Sequence, residues 1–285
     1  MITLEWKKII RGVLIGCAAT LITASAGFTE DLRIFLPEEY LSALGMRVEG
    51  DYIDGKKEGY FRIYDAEEKV IDERLYRHGK LINGDEDLIS GAYNVYYSNG
   101  HLFAKFNYNA GVLDGLTKIF NETGELLLEG DIDSKSNRAS INIYEGGRIT
   151  WALEAKEGEL DGDIVKYHDN GNISAKYSYK DGAQHGTTSY FTPNGNVIET
   201  WSYENGERNG EYRKYYENGM LREAGVLKNG LLNGAWKMFY PNENVKTEVH
   251  YTDGQRNGEL KEFYPDGNLK FTQEYRDDHK HGYRV

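Results

Sequence analysis

The sequence has 285 residues and carries 46 aspartates and glutamates against 34 lysines and arginines, a formal net charge of −12. This acid surplus argues against binding to nucleic acid or to anionic membrane surfaces, and it favours basic partners. Cys17 is the single cysteine, so the chain cannot form an intramolecular disulfide or a site with several thiolate ligands.

Residues 1–26 have the features of a signal peptide. A basic start is followed by an apolar run over residues 12–23 and by Ala24-Ser25-Ala26, a small-residue cleavage site. The run is shorter than the roughly 18 apolar residues of a spanning helix. Leu14-Ile15-Gly16-Cys17 resembles a lipobox, so a lipoprotein or an uncleaved N-terminal anchor is the alternative. Export without cysteines favours the periplasm or cell envelope of a bacterium.

Residues 27–49 form the non-repeat stretch that follows. Pro37-Glu38-Glu39 is typical of a helix start, and Gly45 is typical of a helix stop. We expect a short helix that caps the open edge of the first hairpin, because repeat arrays need caps and sheet edges need protection.

Residues 50–285 repeat with a period of 24 residues. A leading glycine is followed by a second glycine four positions later, an aromatic residue nine positions later and a branched aliphatic residue fifteen positions later. Leading glycines of this series stand at positions 158, 182, 206, 230 and 254. A period of this length is the signature of a tandem repeat array.

Each repeat is predicted to form two strands joined by a turn. In residues 221–227 and 269–275 the odd positions are mostly apolar and the even ones mostly polar, and residues 212–216 form a short, aromatic-rich segment. Both patterns favour strands. Proline precedes Asn/Asp-Gly in several of the turns, as at Pro193 and Pro265. Proline suits the second position of a type I turn, so we predict a three-residue loop with a glycine bulge. This register places the aromatic column opposite the aliphatic column.

Three segments depart from the pattern. Eight extra residues within 81–90 form an acidic insertion, and Tyr275 to Val285 is a half repeat. In a degenerate unit near 131–155, Ser134 and Arg138 stand in the glycine columns, Ile143 stands in the aromatic column, and one residue is missing. This unit could bend the array or divide it.

No catalytic motif is present in the sequence, so we expect no enzyme activity and no cofactor. His279 and His281 would share one face of a strand, but a pair without a third ligand does not define a metal site.

The repeated pattern Tyr-x-Asn/Asp-Gly-x-x-x-Gly-x-x-x-x-Tyr/Phe-x-x-Asn/Asp-Gly-x-Leu/Val resembles the MORN repeat variant of YwqK-family antitoxin-like proteins. The resemblance covers roughly residues 50–285. It implies an all-β fold, an elongated single-layer antiparallel sheet of tandem 24-residue hairpins, and a non-catalytic binding role. Glu243, in place of a turn glycine, departs from the pattern.

The leading hypothesis is an exported immunity or antitoxin-like protein that neutralises a basic or envelope-acting toxin protein by direct binding. The alternative is an envelope scaffold that binds membrane lipid or self-associates through its aromatic sheet face. The predicted partner contacts are an acidic insertion and exposed aromatic residues of the repeats: Asp85, Glu86, Asp87, Tyr212, Tyr216, Trp236 and Tyr240.

Overall fold

The computed structural model describes residues 47–64, 68–82, 88–97 and 99–282. The predicted signal peptide and helical cap lie outside the described residues. Within the described residues, the first strand begins at Arg47. The chain divides into two compact units, Met1–Gly162 and Asp163–Val285. All elements assigned in the described residues are β-strands, which confirms the predicted all-β class.

In the first unit, short antiparallel strands follow one another in chain order. They are β1 (Arg47–Ile53), β2 (Lys56–Tyr64), β3 (Val70–Arg77), β4 (Lys80–Ile82), β5 (Gly91–Tyr96), β6 (Leu102–Asn109), β7 (Val112–Leu113), β8 (Gly115–Phe120), β9 (Leu126–Asp133), β10 (Arg138–Glu145), β11 (Arg148–Lys156) and β12 (Glu159–Leu160).

The second unit continues the same pattern of hairpins, and β13 begins at the last residue of the first unit. Its strands are β13 (Gly162–Tyr167), β14 (Ile173–Lys180), β15 (Ala183–Gln184), β16 (Gly186–Phe191), β17 (Val197–Glu204), β18 (Glu207–Tyr215), β19 (Leu221–Lys228), β20 (Leu231–Leu232), β21 (Gly234–Phe239), β22 (Val245–Thr252), β23 (Gln255–Arg256), β24 (Gly258–Phe263), β25 (Leu269–Arg276) and β26 (His279–His281).

The turn that carries the proline has the predicted three-residue form. In the β16–β17 hairpin, the Gly195 N–H donates to the Thr192 carbonyl at 2.9 Å, and the Thr192 N–H donates to the Asn196 carbonyl at 2.8 Å. Pro193 therefore takes the second position of a type I turn, and Gly195, with φ 85°, forms the bulge. Phe191 pairs with Val197, so the aromatic column lies opposite the aliphatic column as predicted.

The leading glycine belongs to a different turn. Asn205 and Gly206 both have positive φ, 50° and 85°, and Glu204 pairs with Glu207 across them. This is a two-residue turn whose twist matches that of the strands. The Gly206 N–H donates to the Gln184 carbonyl at 2.8 Å. The bond joins one repeat to the preceding one, and the positive φ at this position is what favours glycine there.

The acidic insertion separates two sheets in the first unit. Strands β1 to β4 form a four-stranded sheet of their own, and a second sheet begins at β5. In regular repeats the long strand pairs with the strand that follows the short one, as β6 pairs with β8. In the described part of the chain, β3 and β5 have no such ladder. The strand ladder is thus broken between β3 and β5, although the Leu81 N–H of β4 still donates to the Gly111 carbonyl at 3.0 Å.

Buried polar side chains link the two sheets at this interruption. The Arg74 Nε of β3 donates to Asp72 at 2.5 Å, its Nη1 donates to the Tyr108 hydroxyl at 3.1 Å, and the Tyr93 hydroxyl donates to Asp72 at 2.8 Å. Burial acts to lower the pKa of Arg74, but Tyr108, Tyr76 and Asp72 together hold this pKa well above its ordinary value. The guanidinium thus stays charged in the interior.

The degenerate unit keeps its strands, but the predicted register is wrong by one residue. Tyr144, and not Ile143, pairs with Ile149 and therefore occupies the aromatic column. The missing residue lies in the turn, where Gly146 and Gly147 form a two-residue connection with φ 57° and 73°. Antiparallel pairing runs through β9, β10 and β11, so this unit does not break the ladder.

Burial differs between the two units. In the first unit one face holds many fully enclosed apolar side chains, with Phe103, Phe106 and Ile119 at 0% exposure. In the second unit, most side chains of the corresponding sheet face are half-buried. The same repeat pattern therefore yields a closed face in one unit and a partly open face in the other.

Candidate binding surface

One face of the second unit carries a series of aromatic side chains, most of them half-buried, here called the aromatic face. Successive side chains of a strand point to opposite faces, so alternate residues share one face. Strand pairing aligns these positions: Tyr190 pairs with Glu199, Trp201 with Tyr212, and Gly234 with Tyr251. The aromatic residues that the pairing and alternation place on this face are Tyr177, Tyr179, Tyr190, Trp201, Tyr203, Tyr212, Trp236 and Tyr251.

Three rings at the centre of the aromatic face form a stack. The ring centroids of Trp201 and Tyr212 lie 4.0 Å apart, and those of Tyr212 and Trp236 lie 5.0 Å apart with an interplanar angle of 12°. Gly225 pairs with Tyr212 on the strand between these two rings. A Cβ at position 225 would lie 2.8 Å from Cζ3 of Trp236 and still closer to Cε3. The missing side chain is what lets Trp236 reach Tyr212.

This stack overturns one expectation. Tyr212 is predicted to be exposed, but it is only 4% exposed, because Trp201 and Trp236 cover it from either side. Burial raises the pKa of the Tyr212 hydroxyl, with smaller contributions from Glu199 and Glu223. Trp236 itself is half-buried. Of the two predicted contact residues Tyr212 and Trp236, only Trp236 keeps accessible surface, whereas Tyr212 packs between the two tryptophan rings.

Beside the stack, Tyr177, Tyr179, Tyr190 and Tyr203 form what we call the tyrosine cluster. The rings of Tyr177 and Tyr190 meet edge to face with centroids 6.0 Å apart. Burial, the Tyr190 phenol and the other two tyrosines raise the pKa of Tyr177 to about 12. Burial and Tyr203 likewise raise the pKa of Tyr179 and of Tyr190. The four phenols are therefore close enough to act on one another.

The charged side chains of the aromatic face are engaged with its rings. The Arg208 guanidinium lies 3.7 Å from the Trp201 ring centroid, and its Nε donates to the Tyr203 hydroxyl at 3.1 Å. Glu199 accepts a hydrogen bond from the Trp201 indole and lies 3.6 Å from the Lys214 ammonium. The face thus combines π surfaces with one carboxylate and one stacked guanidinium.

The predicted contact residues Tyr216 and Tyr240 lie at the turn edge of the sheet. The Tyr216 hydroxyl donates to the Phe239 carbonyl at 2.6 Å, and the Tyr240 hydroxyl donates to the Phe263 carbonyl at 2.9 Å. Each bond reaches the following repeat. Both side chains are half-buried, and the role that the structure gives them is to fasten neighbouring repeats.

The remaining sequence-based candidates do not gather into a site. Asp85, Glu86 and Asp87 lie outside the described residues. His279 and His281 are exposed, and within the described residues no group of three or more His, Cys, Asp or Glu side chains is placed to hold a metal ion. No helix in the described parts of the chain is long and apolar enough to span a membrane.

Sequence reasoning missed the tyrosine cluster and the role of Gly225. Tyr177, Trp201 and Gly225 occupy the same repeat position, with 24 residues between successive members. That column varies in residue type, so periodicity alone does not mark it. In this column, however, a large ring at Trp201 is followed by a glycine at Gly225, and this exchange of a ring for a glycine is the signal that could have indicated the stack.

The tandem pattern matches a known repeat family. The MORN repeat variant family matches five consecutive segments, residues 160–181, 184–205, 208–229, 232–253 and 256–277. The matched segments cover most of the second unit, which confirms the predicted resemblance to the MORN repeat variant over these five repeats. No curated protein matches the chain.

Solved structures give only remote similarities. A mutant of S. aureus TarM in complex with Fondaparinux, alpha-GlcNAc-glycerol and UDP is 10% identical with a TM-score of 0.27, and the match covers 39% of this chain and 20% of that one. A protein of unknown function from Bacteroides caccae is 9% identical with a TM-score of 0.20, covering 82% and 94%. These TM-scores are too low to carry an argument about fold or function.

Proposed function

We propose that this chain is an exported, non-catalytic binding protein of the immunity or antitoxin kind, which neutralises a toxin protein by direct binding in the bacterial cell envelope. The observation that carries the proposal is the aromatic face of the second unit. Most of its rings are half-buried, whereas Phe103, Phe106 and Ile119 of the first unit are fully enclosed. A partner that covers these rings would complete the burial.

A protein is the partner that this chemistry favours. Tyrosine and tryptophan supply large contact areas at low cost in side-chain entropy, and they are enriched at the energetic centres of interfaces. The Trp201–Tyr212–Trp236 stack holds its rings in place before any partner arrives. Preorganisation of this kind reduces the entropy lost on binding.

The charge distribution favours a basic partner. Residues 47–162 hold 23 acidic and 14 basic side chains, a net charge of −9, whereas residues 163–285 hold 18 and 16, a net charge of −2. A negative first unit would attract a basic protein over a distance and raise its association rate. The nearly neutral second unit would then supply the close contact without a large desolvation cost.

Co-expression with the product of the neighbouring gene tests the proposal. The wild-type chain should rescue cells from the toxicity of that product and co-purify with it. Tyr203→Ala on the aromatic face should weaken rescue, whereas Tyr264→Ala, at an exposed turn position, should not. Absence of both rescue and a complex would refute the proposal.

An envelope scaffold that binds lipid or itself is the second candidate. The exposure of Val226 (43%) and Leu231 (50%) in the second unit favours it, because both aliphatic side chains face solvent. Flotation with vesicles of neutral lipid, together with the oligomeric state in solution, distinguishes the two functions. Flotation or stable self-association without any protein partner would support the scaffold.

A further inference from the structure

Arg208 is an exposed cation of the aromatic face that neighbouring rings hold in place. It pairs with Tyr203 across β17 and β18, so its side chain lies on the same face as the rings. Its guanidinium lies 3.7 Å from the ring centroid of Trp201, and its Nε donates to the Tyr203 hydroxyl at 3.1 Å. These contacts use one face of the guanidinium and the Nε donor. They leave the terminal nitrogens Nη1 and Nη2 for another group.

Among the residues that the structure describes, no carboxylate forms an ion pair with Arg208. Other cations of the same unit are each paired with an acid: Arg213 with Glu211, Lys214 with Glu199, and Arg222 with Glu223. Glu207 is adjacent to Arg208 in β18, but successive side chains of a strand point to opposite faces. The charge of Arg208 is therefore available to an acid from outside the chain.

Arg256 shows what an arginine at the same repeat position binds when an acid is present. It stands 48 residues after Arg208, which is two periods along the array. Its guanidinium lies 4.3 Å from the ring centroid of Tyr275, and its Nε donates to Asp278 at 2.8 Å. The Asp278 N–H donates to the Arg256 carbonyl at 3.1 Å. In the repeat of Arg208, the corresponding bond, at 2.8 Å, comes from Gly230, which has no carboxylate.

We propose that Arg208 is an anchor for an aspartate or glutamate side chain of the protein partner, which neutralises Arg208 as Asp278 neutralises Arg256. Trp201 and Tyr203 hold the guanidinium in place before the partner arrives, and its planar fork matches the two oxygens of a carboxylate. This inference rests on the proposed function, because it names the chemistry of the partner at the same face. The negative first unit attracts a basic protein over a distance, whereas Arg208 acts at contact and fixes the register of that protein.

NMR titration of the full chain with short peptides tests the site. Each probe is a glycine–serine peptide with a phenylalanine, and the residue beside the phenylalanine is glutamate, glutamine or lysine. The readout is the indole N–H signal of Trp201, which is identified by its loss in Trp201→Phe. The glutamate peptide should bind about twofold to fivefold more tightly than the glutamine peptide, the range expected for an exposed arginine–carboxylate pair. The lysine peptide should bind most weakly.

Arg208→Gln should bind the glutamate and glutamine peptides equally, because loss of the guanidinium removes the preference. Arg256→Gln is the matched control, since it removes an arginine at the same repeat position whose charge Asp278 already neutralises. It should keep the preference of the wild type. Equal binding of the glutamate and glutamine peptides by the wild type, or a preference that survives in Arg208→Gln, would overturn the inference.

The outcome is separable from that of the proposed function. A toxin protein that the chain neutralises, and that binds Arg208→Gln as tightly as wild type, would leave the function standing and remove the carboxylate site. A preference for the glutamate peptide that depends on Arg208, without rescue of cells by the chain, would establish the site and remove the immunity function.

Discussion

Replacement of Gly225 by alanine is the sharpest test of the stacked rings. The new Cβ would overlap the six-membered ring of Trp236, lying 2.8 Å from Cζ3 and closer still to Cε3. Gly225 has no positive φ, so the added methyl meets no backbone strain and the effect reports the ring contact alone. Trp236 must then move away from Tyr212.

The expected cost has two parts. Insertion of a methyl group into a packed site costs about 1–3 kcal/mol. Loss of the stacking geometry between Tyr212 and Trp236 adds about 0.5–1.5 kcal/mol. We therefore expect Gly225→Ala to lower the free energy of unfolding by about 1.5–4.5 kcal/mol. The sign of this change is informative, because replacement of glycine by alanine inside a strand ordinarily raises the free energy of unfolding.

Denaturant unfolding followed by tryptophan fluorescence measures this change. A double-mutant cycle with Trp236→Val provides the control, since removal of the ring removes the clash. In that background Gly225→Ala should cost less than about 0.5 kcal/mol. If Gly225→Ala is as stable as wild type, or if it costs the same in both backgrounds, the ring over the glycine is not what constrains this position.

Four further outcomes follow from individual contacts. Tyr240→Phe should cost about 0.5–1.5 kcal/mol of stability by removing the bond to the next repeat, whereas Tyr264→Phe should stay within about 0.5 kcal/mol, both measured by denaturant unfolding. Glu243 has φ 65°, a backbone conformation that is strained for residues other than glycine. Glu243→Gly should therefore raise the free energy of unfolding by about 0.5–1 kcal/mol and raise the melting temperature. A lower melting temperature would contradict the presence of strain at this position. Asp72→Asn leaves the buried Arg74 guanidinium without its counter-charge and should lower the free energy of unfolding by about 3–5 kcal/mol. A decrease below about 1 kcal/mol would contradict this role of Asp72. Burial raises the folded-state pKa of Tyr177 to about 12, while the unfolded value stays near 10. The contribution of this phenol to stability is therefore present below pH 10 and is lost as pH rises toward 12. The melting temperature of Tyr177→Phe should fall less steeply with pH over that window than that of the wild type, and an identical slope would refute the assignment.

Turn chemistry made much of the hairpin architecture predictable. Proline followed by Asn-Gly fixes the three-residue loop, because only one common turn accepts proline at its second position and glycine at the bulge. The same reasoning failed at the degenerate unit, where counting from Ser134 put Ile143 in the aromatic column. The structure moves the gap into the Gly146-Gly147 turn and restores Tyr144 to that column. A gap in a repeat can be placed in several turns, and only strand pairing decides between them.

The predicted contact residues show that sequence patterns do not reveal hydrogen bonds between neighbouring repeats. Tyr216 and Tyr240 look like exposed aromatic residues in the sequence, yet each hydroxyl reaches a carbonyl in the following repeat. Their partners lie 23 residues away, so no local pattern reveals the bond. Arg74 is similar, since its partners Tyr93 and Tyr108 belong to the separate sheet that begins at β5.

The sequence by itself determined the repeat, its period, the two strands of each unit and the form of the proline turn, because glycine, proline and alternating side chains act through the local backbone. The tertiary structure alone decided which faces are enclosed and which rings remain half-buried. It also decided how Gly225 admits Trp236 and how Tyr177 and Tyr190 come together edge to face. These features depend on side chains from three or more strands meeting across the sheet, and a single strand does not encode its neighbours.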